Sequence, residues 1–314
     1  MKLSLKAFFK IFSRTGVLYL AMILLIVGLV DYRKVQLKIL DELRLPLDVL
    51  LDFSSGKGSL SRENLEAQTS YYEKAHAVVP KNDEINSLLG FCQYYSGQKA
   101  AAMASLKQAA EARPYFFWYT YNLGLVSFLA GDFSAAVECF QKALNANMEV
   151  TEEIALQSMV YRNSEELYNG SLLDGKRRLT PLAWIQKGIR AGRETAYKLM
   201  ILSHERLGQY EEMVRAAQFA LVSPQIEDKA WFYNYLGRAA SHLRSFPLAI
   251  NAFEQSLKLA PQASENYQGL GDCFAARNNR AAAEAFWQKA KDFSRQSETF
   301  LTVESARNLR LKIF

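Results

Sequence analysis

The first pattern along the chain is an absence of alternation: Thr15 to Val30 is a run of 16 residues without a charge. Four spaced cations, Lys2, Lys6, Lys10 and Arg14, precede it, and Asp31, Arg33 and Lys34 close it. As a helix the run spans about 24 Å, somewhat short of the ~30 Å hydrocarbon core, and Phe8, Phe9, Ile11 and Phe12 extend it while Lys10 and Arg14 snorkel. Residues 15–31 are therefore expected to form an uncleaved transmembrane signal anchor behind a basic flank at 1–14. A cleaved secretory signal has the same start but needs small residues before its cut, and Val27-Gly28-Leu29-Val30-Asp31 lacks them. Residues 32–60 read as a juxtamembrane helix and linker. Their part at 35–51 is leucine-rich with interspersed charge and is broken by Pro46, so it suits a bilayer surface, a second copy, or the first helix of a larger helical array. Ser54 to Ser59 carry turn residues.

Beyond this point the apolar positions take a helical period, and the pattern repeats. Leu89-Gly90 recurs as Leu123-Gly124 and Leu236-Gly237 as Leu270-Gly271, both at a spacing of 34. In residues 83–116 the pair is followed by Gly97, Ala102, Leu106, Ala109 and Pro114; residues 117–150 give Gly131, Ala136, Phe140 and Ala143. Residues 230–263 supply Tyr233, Ala249, Phe253 and Pro261, and residues 264–297 supply Tyr267, Phe274, Ala283, Trp287 and Ala290. Small residues let two helices approach, the bulky residue fills the gap between layers, and proline ends the second helix.

In period and in these positions the chain resembles the tetratricopeptide repeat family. The resemblance implies an all-α solenoid over 61–297, with about six repeats. Two of them are irregular: 194–227 has Ile201 where the packing glycine belongs, and 151–193 is about nine residues too long, with a recognisable second helix from Pro181 to Ile189. The excess falls around 169–180, which carries turn residues and three consecutive cations, Lys176 to Arg178, and reads as an extended loop between helices. A partial unit, Leu65 to Val79, precedes the first full repeat, and 298–314 is expected as a capping helix.

Charge and cysteine content narrow the function classes. The net charge of +6 is mostly the four cations of the N-terminal flank; the rest carries 34 basic against 32 acidic side chains, which is no electrostatic footprint for nucleic acid. Cys92, Cys139 and Cys273 are far apart without metal or redox spacing, and His76, His204 and His242 stand alone. No cofactor or metal site and no catalytic constellation is expected.

In the resembled family the first helix of each repeat lines a concave groove. Carried over position by position, this implies a partner-binding surface of Leu88, Phe91 and Tyr94; Trp118, Tyr121, Asn122, Leu125 and Phe128; Lys198, Leu202 and Glu205; and Trp231, Asn234, Tyr235 and Arg238. An aromatic groove with asparagines suits an extended peptide or an amphipathic helix, although the same rings can simply pack against neighbouring helices. Ser87 and Phe91 stand where some family members place residues that clamp a C-terminal carboxylate, so that clamp is expected to be absent. The reading is a membrane-anchored scaffold or adaptor in the assembly of an envelope complex, in a bacterial inner membrane with the repeats periplasmic, since flanking cations favour the cytoplasmic side. The alternatives are an organellar import receptor and a non-catalytic subunit of an envelope enzyme.

Overall fold

The computed structural model of the chain describes Met22, Leu25 and Gly28, residues 47–54, 56, 58–158, 173–174, 177–178, 181–294 and 300–313. The expected flank at 1–14 and anchor at 15–31 lie outside these residues apart from Met22, Leu25 and Gly28, which are helical. No helix among the described residues is long and apolar enough to cross a membrane.

The described chain is helical almost throughout. A short helix α1 (Leu47–Ser54) is followed by α2 (Arg62–Val78), then by the pairs α3 (Asp83–Tyr95) with α4 (Lys99–Ala112) and α5 (Phe117–Ala130) with α6 (Phe133–Leu144). After α7 (Met148–Gln157) and a two-residue antiparallel pair, β1 (Leu173–Asp174) with β2 (Arg177–Arg178), come α8 (Pro181–Arg206) and α9 (Tyr210–Val222). The pairs α10 (Lys229–His242) with α11 (Phe246–Leu259) and α12 (Ser264–Ala276) with α13 (Arg280–Phe293) complete the array.

Local chemistry sets the helix ends. Asn82, Asp132, Asp228 and Asn279 each accept a backbone N–H of the first turn of α3, α6, α10 and α13, satisfying donors that a helix start leaves orphaned. Helices α4, α9 and α11 end at Ala112, Val222 and Leu259, just ahead of Pro114, Pro224 and Pro261, because proline disfavours helical backbone in the residue before it. Between the two helices of each pair the chain reverses through one left-handed residue: Gly97, Gly131 and Gly208, and at the equivalent places Arg244 and Asn278.

The small and bulky positions meet as the repeat pattern requires. A Cβ on Gly124 would stand 2.9 Å from the Phe140 ring of the partner helix, and one on Gly237 would stand 2.7 Å from Phe253. Phe253 also reaches the next layer, where a Cβ on Gly269 would come within 2.4 Å of it. Layers are further tied by a buried polar ladder in which Asn234 donates to Asn266, Asn266 to Ser256, and Ser256 to the Ala230 carbonyl.

Two expectations need correction. The boundary at 193/194 does not exist, because α8 runs unbroken from Pro181 to Arg206. Nothing between Ile189 and Tyr197 stops a helix: there is no proline, and Gly192 costs only about 1 kcal/mol in a helix interior. Helix α8 packs directly on α6, so the 194–227 unit stacks on the 117–150 unit. The expected loop at 169–180 lies outside the described residues except for the paired 173–174 and 177–178.

The second correction concerns the capping helix at 298–314. Its described part, 300–313, holds one 3₁₀ turn (Ser305–Asn308) and is otherwise non-helical. Leu309-Arg310-Leu311-Lys312-Ile313 alternates apolar and charged residues at period two, the period of an extended chain with one buried face, and Leu311 and Ile313 are buried.

Candidate functional site

The first helices of the repeats carry the expected groove residues, and the structure sorts these into two groups. Phe91, Leu125 and Phe128 are packed in the core, Phe128 edge-on to Phe133 at 5.4 Å. Trp118 stands edge-on to Phe117 and to Tyr121, and its indole lies over Gly192 of α8, where a Cβ would meet it at 2.5 Å. Leu88 and Leu202 are also buried, and Asn234 belongs to the inter-layer ladder. These side chains hold layers together, as does Lys198, which pairs with Glu194 at 2.9 Å and Asp228 at 2.7 Å.

The second group faces a stretch of the chain itself. Residues 300–313 run against these first helices from the 230–263 unit back to the 83–116 unit. The Leu301 carbonyl accepts from Trp231 Nε1 at 2.9 Å and from the Tyr235 hydroxyl at 3.1 Å. Those two rings stack on one another with centroids 4.0 Å apart, which fixes both donors on one point. At the other end Asn122 uses both ends of its amide on one residue: the Lys312 N–H donates to Oδ1 at 2.8 Å, and Nδ2 donates to the Lys312 carbonyl at 2.5 Å. The Leu311 N–H donates to the Tyr95 hydroxyl at 2.9 Å.

The cations of this stretch meet α1. Arg310 lies 4.2 Å above the Phe53 ring and donates to the Phe53 carbonyl at 2.7 Å, while Lys312 Nζ donates to the Ser54 carbonyl at 2.6 Å. Both acceptors are last-turn carbonyls at the negative dipole end of α1, and the Phe53 carbonyl also accepts from the Gly56 N–H. Phe53 in turn packs edge-on against Tyr95 and Phe91 at 4.8 and 6.2 Å, so α1 sits on α3 at one end of the groove. Tyr94, half-buried, stands edge-on to Tyr95, and Arg238 lies 4.6 Å over the Tyr235 ring while pairing with Glu205.

Burial shapes the titrations here. It raises the Tyr95 and Tyr121 phenols and pushes Tyr235 up to about 12, against the opposing pull of the Arg238 guanidinium. Lys312 is held below the usual lysine range, first by burial and then by Arg310. The thiols are likewise raised by burial, Cys139 to about 11, which keeps them protonated and poorly nucleophilic at neutral pH. Each histidine has a packing partner: His76 bonds Asn86, His204 bonds Gln209, and His242 stacks on Tyr210 at 4.2 Å. Among the described residues no cluster of His, Cys, Asp and Glu is arranged to hold a metal ion. What the geometry can do is bind backbone: the groove's hydrogen bonds go to main-chain groups that any extended peptide offers.

Sequence reasoning named Asn122, Trp231 and Tyr235 and missed Tyr95, Phe53 and Ser54. Tyr95 follows Phe91 by four residues on one face of α3, which was a usable signal. Nothing in the pattern of 47–54 pointed to the groove.

The tetratricopeptide repeat family model matches residues 120–147, which cover most of the α5 and α6 pair. Over these residues the chain is similar to a tetratricopeptide repeat. No curated protein matches it in sequence. Among solved structures the chain is similar to MamA 41-end from Desulfovibrio magneticus RS-1, at 15% identity over 69% of this chain and 97% of that one, with a TM-score of 0.47. It is also similar to YrrB, described as a TPR protein with an unusual peptide-binding site, at 14% identity over 72% and 93% with a TM-score of 0.49. The TPR2AB domain of yeast Sti1 in its pHSP90 complex aligns at 16% identity over 87% and 96% with a TM-score of 0.30.

Proposed function

We propose that the chain is a scaffold or adaptor that holds a protein partner in the concave groove of its repeats, without catalysing a reaction. The observation that carries this reading is the pairing of Asn122 with both backbone groups of Lys312, because an amide so used recognises an extended peptide whatever its side chains. The converging donors of Trp231 and Tyr235 support it at the far end. The uncharged run at 15–30 supports a membrane anchor, and its flanking cations support a bacterial inner-membrane location with the repeats periplasmic and a role in assembling or stabilising an envelope complex.

The test is site-specific photocrosslinking of the full chain in native membranes, with the probe at Tyr94 or Arg238 on the groove edge and at Lys258 on α11 as a control. Partner adducts at the two groove positions, weakened by Asn122→Ala, are expected. Adducts at Lys258 alone, or adducts indifferent to Asn122→Ala, remove the groove from the reading. A topology reporter fused after Phe314 is expected to report the periplasmic side; a cytoplasmic signal overturns the placement.

A further inference from the structure

The groove is already occupied by part of the same chain, and the occupant is a guide to what else fits. Residues 300–313 contribute little structure of their own beyond the 3₁₀ turn, in which Thr302 and Ser305 bond each other reciprocally, and Glu304, Ser305, Arg307 and Asn308 stay exposed. The stretch is held at two ends. Near Leu301 the hydrogen bonds go to its carbonyl, and Phe300, Leu301 and Val303 pack against the core. Near Lys312 the contacts are backbone pairing with Asn122 and Tyr95, burial of Leu311 and Ile313, and the two cations laid on the α1 carbonyls.

We propose that residues 300–313 are a tethered occupant of the groove, and that the partner held in trans is an extended segment of the same chemistry, with aliphatic side chains at alternate positions and cations between them, which displaces it. This deepens the scaffold reading and rests on it. Each element of the chemistry has a receiver in the fold. Asn122, Tyr95, Trp231 and Tyr235 take main-chain groups; the space holding Leu311 and Ile313 takes aliphatic residues two apart; the end of α1 takes the cations. Because the occupant is covalently attached, its effective concentration is high, and a free segment competes only when it binds better or when the tether lets go.

The experiment uses the full chain in detergent and a fluorescein-labelled synthetic peptide of residues 300–314, read by anisotropy. Wild-type protein is expected to bind the peptide weakly. Leu311→Asp with Ile313→Asp in the protein releases the tethered stretch and is expected to raise peptide affinity at least tenfold. Adding Asn122→Ala to that variant reverses most of the gain, and a peptide carrying the same two aspartates, or glutamate at 310 and 312, does not compete. A second release variant, Arg310→Ala with Lys312→Ala, leaves the aliphatic residues in place and is expected to give a smaller gain. Equal binding to wild-type and released protein overturns the proposal, as does loss of the helical circular dichroism signal in both release variants, which would make the stretch a fixed part of the fold. Concentration-dependent dimers of wild-type protein that trade this stretch between copies also overturn it. If the peptide fails but groove photocrosslinks to a partner persist, only this proposal falls; if both fail, the scaffold reading falls with it.

Discussion

At the scale of single residues, the turn between paired helices is where the repeat shows what each side chain is for. Five units place a residue in left-handed backbone at the same position, and three of them use glycine, at φ of +84, +85 and +68° for Gly97, Gly131 and Gly208. Arg244 and Asn278 hold the same conformation at +59 and +61°. A side chain other than glycine, asparagine or aspartate carries about 1–2 kcal/mol of steric cost there, while glycine loses some of that advantage through unfolded-state entropy. Arg244→Gly is therefore expected to stabilise the array by about 0.5–1 kcal/mol in urea unfolding, and Asn278→Gly to be close to neutral because asparagine tolerates the conformation. Tyr235 gives a second prediction. Its phenol ionises at about 12 in the folded chain and near 10 when exposed, so the folded state keeps a proton that the open state loses. The stability it contributes is complete below about pH 10 and disappears as pH rises through about 12. Phenolate absorbance should show a tyrosine titrating at about 12 that is missing in Tyr235→Phe.

Among the elements, α8 departs furthest from the repeat, and the departure has a packing reason. It is 26 residues long where the other helices of the array reach at most 17, and it crosses α5 at Gly192, against Trp118 and Phe117. A methyl group there would stand 2.5 and 2.8 Å from two buried rings that have no room to swing away. Alanine recovers about 1 kcal/mol of helix propensity over glycine, but overpacking of this kind costs about 1–3 kcal/mol, so Gly192→Ala is expected to destabilise in urea unfolding. Introduced beside Trp118→Phe, which removes the ring atoms nearest that methyl, the same change should cost less than it does in the wild-type background. The same element shows what the sequence could and could not reveal. The pairs α3 with α4, α5 with α6, α10 with α11 and α12 with α13 were legible because a glycine, a bulky residue and a proline or capping residue recur at fixed offsets, each with a local cause. Gly192 was illegible because its constraint comes from Trp118, 74 positions earlier, and the fused helix was illegible because a missing stop signal leaves no mark of its own. The groove divided in the same way. Periodicity puts Trp118 and Trp231 at equivalent-looking places on first helices, but only the contacts distinguish an indole packed on α8 from one that donates to Leu301.

For the molecule as a whole, the decisive feature is that two segments far apart in sequence, α1 and residues 300–313, close on each other at one end of the array. The stretch is held by burial of Ala306, Leu311 and Ile313, by the hydrogen bonds of Asn122, Tyr95, Trp231 and Tyr235, and by the Arg310 and Lys312 contacts. Helix α1 depends on the same contacts: at eight residues it is too short to hold its own shape, and its last carbonyls have Arg310 and Lys312 for partners. Layers of a solenoid answer mainly to their neighbours, and the core around Phe253, Leu270 and Cys273 forms a separate cluster from the large one that includes Leu50, Leu311 and Ile313. Loosening the stretch should consequently spread to α1 and not to the last repeat. Hydrogen exchange on Arg310→Ala is expected to show α1 amides opening roughly 5–30-fold faster, the equivalent of about 1–2 kcal/mol for a partly exposed charged hydrogen bond and its ring contact, with amides of α12 and α13 unchanged. Uniform acceleration along the array would mean instead that the stretch is a structural strap, and unchanged α1 amides would mean that the helix is held by Phe53 packing alone.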